Sequence, residues 1–197
     1  MPVAMPNLRF LRFHPAAPAR AVGGVSAGGG LDREGRMKLA YRISAAPDAL
    51  HWNRADPPGR RDELWRHTCC EAFLATGPES YLEFNFSPDG SWAAYAFSSY
   101  RRRAEPDPAL APPEVRVRTA RNAVGLEAII DVGAVVDLAG VPEIRMNLAA
   151  VVEETGGPAS YWALRHPSPQ PDFHDAGGFV LTLSPAQPST ALEDLSA

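Results

Sequence analysis

The sequence predicts an all-β fold, an antiparallel β-sandwich of roughly nine or ten short strands in two sheets. Three observations carry that expectation. Short segments in which apolar and polar residues alternate recur along the chain, the period-two signature of strands with one buried face. The 20 prolines and 16 glycines are scattered between those segments, which suits a protein of many turns better than a helical bundle. No stretch of about 10 to 15 residues in helical period separates the strands, so a parallel α/β sheet is disfavoured.

Taken in order, Leu8 to Phe13 is a short apolar segment whose alternation slips before His14-Pro15, and it reads as a bulged first strand. Ala21 to Gly30, AVGGVSAGGG, reads as a flexible strand end or loop. A phosphate-binding loop needs a capped helix after its glycines, and none follows. Met37 to Ile43 alternates cleanly and is a strand, followed by a polar loop around Pro57-Pro58-Gly59. From Asp62 to Arg101 three strand-like segments follow one another as an antiparallel meander. In the middle one Leu82, Phe84 and Phe86 alternate with Tyr81, Glu83 and Asn85, so one face enters a core and the other offers polar groups. Ser87-Pro88-Asp89-Gly90 ends it as a turn: proline presets φ, aspartate bonds its own backbone and glycine accepts φ > 0.

After the meander, the prolines between Arg101 and Pro113 predict an exposed connection without regular structure. Val115 and Val117 then alternate with Arg116 and Arg118, and Leu126, Ala128 and Ile130 with Glu127 and Asp131, a hairpin turning at Arg121-Asn122. Val135 to Leu138 is read as one turn of helix. In Ile144 to Glu154 the residues Met146, Leu148, Ala150 and Val152 share a face, and Gly156-Gly157 turns the chain into Ser160 to Leu164. Gly178 to Leu183 is the last strand. These elements make one domain over residues 1–184, and 185–197 reads as a disordered polar tail.

Composition excludes several functions. A net charge of −4 provides no global field to recruit nucleic acid or an anionic membrane. The N-terminus has no apolar run after a basic one and no segment is long enough to span a bilayer, which predicts a cytoplasmic protein. Cys69 and Cys70 are adjacent and on a strand point to opposite faces, so they read as reduced structural thiols. His67, Cys69 and Glu71 would share a strand face, with His166 and His174 elsewhere, but the spacing matches no closed zinc signature and no metal is expected. Nothing marks an oxyanion hole for a Cys69–His67 pair. Glu71 and Glu83 could form a carboxylate pair, yet nothing in the sequence raises either pKa, and no catalytic residue is assigned. Glu71, Glu83 and Asn85 instead read as a polar patch beside Trp65, with Arg101 as a donor, the chemistry that binds a saccharide's hydroxyl rim beside an aromatic platform.

The order Trp65, then Glu71 heading an apolar strand, then YLEFNFSPDGSWAAY, then Pro171-Asp172-Phe173-His174 before a terminal strand, resembles the DOMON-like group, which includes the family 9 carbohydrate-binding modules. The resemblance runs roughly from Arg36 to Leu183. It implies a β-sandwich with a ligand site on a concave sheet face, taking sugars or haem. Residue by residue, Trp65 and Glu71 match the first tryptophan and the glutamate of the sugar binders. Trp162 is a candidate second aromatic wall, with Phe173 or His174 competing for that place, and Arg101 is the candidate arginine. Haem ligation, as in other relatives, would pair Met37 or Met146 with His67 or His174. The expectation is a saccharide-binding module without a cofactor; a protein-interaction domain using the same face is the alternative.

Overall fold

A computed structural model describes residues 7–184 apart from 33, 53, 139, 140 and 142. The expected tail at 185–197 lies outside the described residues. The fold is an antiparallel β-sandwich. Its strands are β1 (Arg9–Phe10), β2 (Arg12–Phe13), β3 (Gly24–Leu31), β4 (Arg36–Ser44), β5 (Leu50–His51), β6 (Cys69–Ala75), β7 (Tyr81–Phe86), β8 (Trp92–Ser99), β9 (Arg102–Ala104), β10 (Glu114–Ala120), β11 (Ala123–Asp131), β12 (Ile144–Glu154), β13 (Ala159–Ala163) and β14 (Leu181–Leu183). Short 3-10 turns at Pro47–Ala49, Leu64–Arg66 and Ala176–Gly178 are the helical pieces among the described residues. No helix among them is long and apolar enough to cross a membrane.

One sheet has the order β1-β3-β4-β11-β10, the other β2-β13-β12-β6-β7-β8-β9. β12, the longest strand, is the hub of the second sheet. It pairs with β6 over Met146–Val151 and with β13 over Ala149–Glu153, and the ends of the same two edges take β5 and β14. Alternation explains the packing. Cys70, Ala72 and Leu74, Leu82, Phe84 and Phe86, and Met146, Leu148, Ala150 and Val152 all face the first sheet and bury against Leu39, Ile43, Leu126 and Ile130. Apolar side chains on one face of each strand thus leave water together, at about 25 cal/mol per Å² of buried area.

The meander and the hairpin form where expected, with Ala120 opposite Ala123 closing the hairpin. Four expectations are corrected. The bulged first strand is two pieces: β1 pairs with β3 and β2 with β13, and between them buried Leu11 lets the chain pass from one sheet to the other. The glycine-rich segment is a strand within the first sheet, paired on both sides. Its inward residues are small for a reason: a Cβ on Gly29 would lie 3.0 Å from Met146 Sδ. Val135 to Leu138 forms turns without helix, and the last strand begins only at Leu181 because Ala176–Gly178 closes a 3-10 turn on the Asp175 side chain.

Candidate functional site

The strand residues that do not face the first sheet line the outer face of the second. Register settles which of them meet. Glu71 on β6 is opposite Asn85 on β7, Phe73 is opposite Glu83, and Glu83 is opposite Tyr95 on β8. Glu71, Glu83 and Asn85 therefore share one face, as strand periodicity predicts. They are not solvated: all three are buried, Glu71 at 3% exposure. The loop from 165 to 180 covers this face, seating Phe173 and Phe179 against Phe73 and Tyr81, and Leu64 of the 3-10 turn covers Cys69, Ala93 and Tyr95.

The polar groups form a chain. Asn85 Nδ2 donates to Glu83 Oε1 at 2.6 Å and Cys69 Sγ donates to Asn85 Oδ1 at 3.5 Å. Arg101 N–H donates to the Tyr81 hydroxyl at 3.1 Å, and that hydroxyl lies 2.8 Å from His174 Nδ1. Since the phenol accepts from Arg101, its own proton is available to Nδ1. The remaining ring proton then sits on Nε2, which faces Glu83 Oε2 at 3.8 Å. Asp172 holds this corner by accepting from the Arg101 guanidinium (2.9 Å), the Tyr100 hydroxyl (2.5 Å) and the His174 N–H (3.1 Å). Glu71 differs. Its Oε1 is buried and makes no hydrogen bond among the described residues.

Burial sets the protonation states. It raises the Glu71 carboxyl well above the usual carboxylate range, with the Glu83 charge adding to the effect. It pushes Glu83 up to about 6, although the Asn85 hydrogen bond and the Arg101 and Arg103 charges pull the other way. It holds His174 down to about 4, helped by Arg101. Near neutral pH Glu83 is thus mainly a carboxylate and His174 a neutral imidazole, side by side in one row. The expectation that nothing raises either carboxylate's pKa is corrected: the covering loop and turn do so by excluding water.

Aromatic rings wall the row. Tyr81 stacks on Phe97 with centroids 4.7 Å apart and planes 6° from parallel, and His174 sits edge-on to Phe73 and Phe97 at 5.1 Å. Beside Tyr81 and His174 a cleft of about 260 Å³ opens to solvent, bounded by the 77–80 turn, Tyr100, Arg145 and Phe179.

Not every expected residue gathers here. Trp162 is placed on the opposite face, in the core between the sheets, its indole N–H donating to Ser160 Oγ at 2.9 Å. Even-numbered residues of β13 point inward, so it cannot wall a site on the outer face. Of the competing residues, His174 lies in the polar row and Phe173 packs beneath the covering loop. Trp65 stands on the Leu64–Arg66 turn, 44% exposed, under the Arg66 guanidinium at 5.4 Å. Met37 and Met146 are in the inter-sheet core, away from the face that carries His174. Cys69 is buried, its thiol pKa is raised by that burial, and its partner is Asn85, whereas His67 turns to Glu153. Tyr81, Phe97 and Asp172 complete the site without having been singled out. Alternation already put Tyr81 on the face of Glu83, but the role of Asp172 depends on a loop contact across 71 residues.

Most of the chain is similar in fold to a solved structure. It superposes on a "putative carbohydrate-binding protein" from Bacteroides uniformis with a TM-score of 0.65 and 16% sequence identity, over 91% of this chain and 86% of that one. No protein-family model and no curated protein sequence matches the chain.

Proposed function

We propose that the protein is a saccharide-binding module whose cleft takes the hydroxyl rim of the sugar on His174, backed by the buried Glu83, and its C–H face on the Tyr81 ring. The observation that carries this reading is the buried row of Glu71, Asn85, Glu83 and His174 on the sheet face that the core does not use. Folding alone gives no reason to bury two carboxyl groups there, since burying charge costs free energy. A cleft of about 260 Å³ is slightly smaller than the roughly 300–1,000 Å³ of drug-sized sites, which suits a small polar ligand. The likeness to the Bacteroides uniformis protein and the Trp65–Glu71 pattern of the DOMON-like group support the same choice of ligand.

Binding is favoured over hydrolysis by geometry. Glycosidases flank the scissile bond with carboxyl groups on both sides of the sugar. Glu71 and Glu83 are diagonal neighbours on adjacent strands of one face, so both approach a ligand from the same side.

The test is calorimetric titration against a panel of mono- and disaccharides, with Glu83→Gln and His174→Ala as companions. The expected outcome is a saturable heat with at least one sugar that weakens about two- to tenfold in each variant, the net worth of a neutral hydrogen bond being about 0.5–1.5 kcal/mol. Silence across the panel by folded protein removes the saccharide reading.

A further inference from the structure

A second cluster lies at the far end of β12. β5 pairs with that end so that His51 and Glu153 are cross-strand partners. His67, the residue that closes the Leu64–Arg66 turn, enters from a third direction. Both imidazoles aim Nδ1 at one carboxylate oxygen: Glu153 Oε2 is 3.0 Å from His51 Nδ1 and 2.6 Å from His67 Nδ1. The rings meet edge-on with centroids 4.7 Å apart, and a donor atom from each of the three side chains lies within 4.8 Å of the others.

The backbones that carry these side chains are tied together by Thr68. Its N–H donates to the His51 carbonyl at 3.2 Å, its hydroxyl donates to the Glu153 carbonyl at 3.3 Å, and the same hydroxyl accepts from the Glu153 N–H at 3.0 Å. The three positions are thus held in place independently of any ion.

We propose that His51, His67 and Glu153 bind a divalent first-row transition metal, with Zn²⁺ as the ion to test. Two imidazole nitrogens and one carboxylate oxygen suit such an ion, whereas Ca²⁺ and Mg²⁺ prefer all-oxygen shells. Bonds of about 2.0–2.2 Å in tetrahedral geometry place donor atoms roughly 3.3 Å apart. The present separations reach that arrangement by side-chain shifts on the order of 1 Å. Each Nδ1 then gives its lone pair to the metal and its proton leaves to solvent or resides on Nε2. His51 is half exposed, so the remaining coordination position is open to water. A one-sequence reading misses the set because its members lie on three separate elements, and His67 belongs with residues 16 before it and 86 after it, not with Cys69 and Glu71. The site is separate from the saccharide cleft: Glu153 is four residues along β12 from Ala149, the register partner of Glu71, about 13 Å at strand rise.

The experiment strips the full chain with chelator and titrates it with ZnCl₂ against a chromogenic indicator, with elemental analysis after dialysis. One Zn²⁺ per chain is expected. Binding should weaken at least about tenfold in His51→Ala, His67→Ala and Glu153→Gln, since loss of even an outer partner of a metal ligand costs that much. It should be unchanged in His166→Ala, which alters the other histidine pair, His14–His166, and in Cys69→Ser. Saturating Zn²⁺ should raise the melting temperature of wild type and not of His67→Ala. Circular dichroism establishes folding of each variant; His51, at an exposed strand end, provides the variant least coupled to the core. Stoichiometric binding absent from folded wild type, or binding that survives His51→Ala and is lost in His166→Ala or Cys69→Ser, overturns the proposal.

Discussion

Glu83 and His174 face each other across 3.8 Å with pKa values displaced in opposite senses. Glu83 rises from 4.5 to about 6, so the folded state holds its proton longer than the unfolded chain does. Its contribution to stability is full below pH 4.5 and is lost as pH rises through 6, a change of about 2 kcal/mol. His174 falls from 6.5 to about 4, so its contribution is full above pH 6.5 and is lost as pH falls through 4, about 3 kcal/mol. The two slopes oppose each other between about pH 4.5 and 6. Urea denaturation of wild type should therefore show a flattened pH profile there. Glu83→Gln should lose stability on acidification and His174→Gln on alkalinisation; slopes of the same sign in both variants contradict the assignment. Glu83 was legible in the sequence as a polar residue sharing a face with Asn85, and His174 only as a loop residue that the family resemblance made a candidate wall. Their burial was not, because it depends on a loop that packs over the sheet from about 90 residues away. Trp162 shows the converse limit, since its identity suggested a ligand wall while the parity of β13 sends it into the core.

At the scale of elements, β3 shows how a strand hides in composition. Val25, Ala27, Gly29 and Leu31 do alternate, but three glycines in a row obscure the pattern and carry low strand propensity. What makes the strand is its place between β1 and β4 and the room it leaves for β12 and β14. A Cβ on Gly29 would meet Met146 Sδ at 3.0 Å, with Leu39 and Leu181 methyls at 3.5 and 3.6 Å. Gly29→Ala needs only the mobile tip of Met146 to give way and should change stability by no more than about 1 kcal/mol. Gly29→Val adds branches against three neighbours and should cost about 1–3 kcal/mol. Urea midpoints of the two variants check the contrast. The meander and the β10–β11 hairpin were legible throughout because short turns and clean alternation specify local pairing. β5 and β9, two or three residues each, carry too little periodicity to be read, and β9 lies in the connection expected to have no regular structure, whereas β14 was read with a start three residues too early.

For the molecule as a whole, the two sheets are joined by more than apolar contact. The chain passes from one to the other at Leu11, and the Tyr41 hydroxyl of the first sheet donates to the Glu71 carbonyl of the second at 2.7 Å. That bond is in the interior, where its loss leaves a polar group without compensation. Sandwich class and sheet number were readable from pattern; such cross-links were not, because they join residues 30 apart through a tyrosine that periodicity assigns simply to the core.

A cross-link from one sheet to the backbone under Glu71 also bears on how a ligand is received. Shear of one sheet over the other would have to break it, so the strands beneath the site act as a fixed template and little chain entropy remains to be lost on association. Sugar binding should then leave amide exchange in β4, β6 and β7 unchanged and slow it only in the 76–80 turn and the 165–180 loop. Protection gained throughout β6 would show that the template is assembled by the ligand.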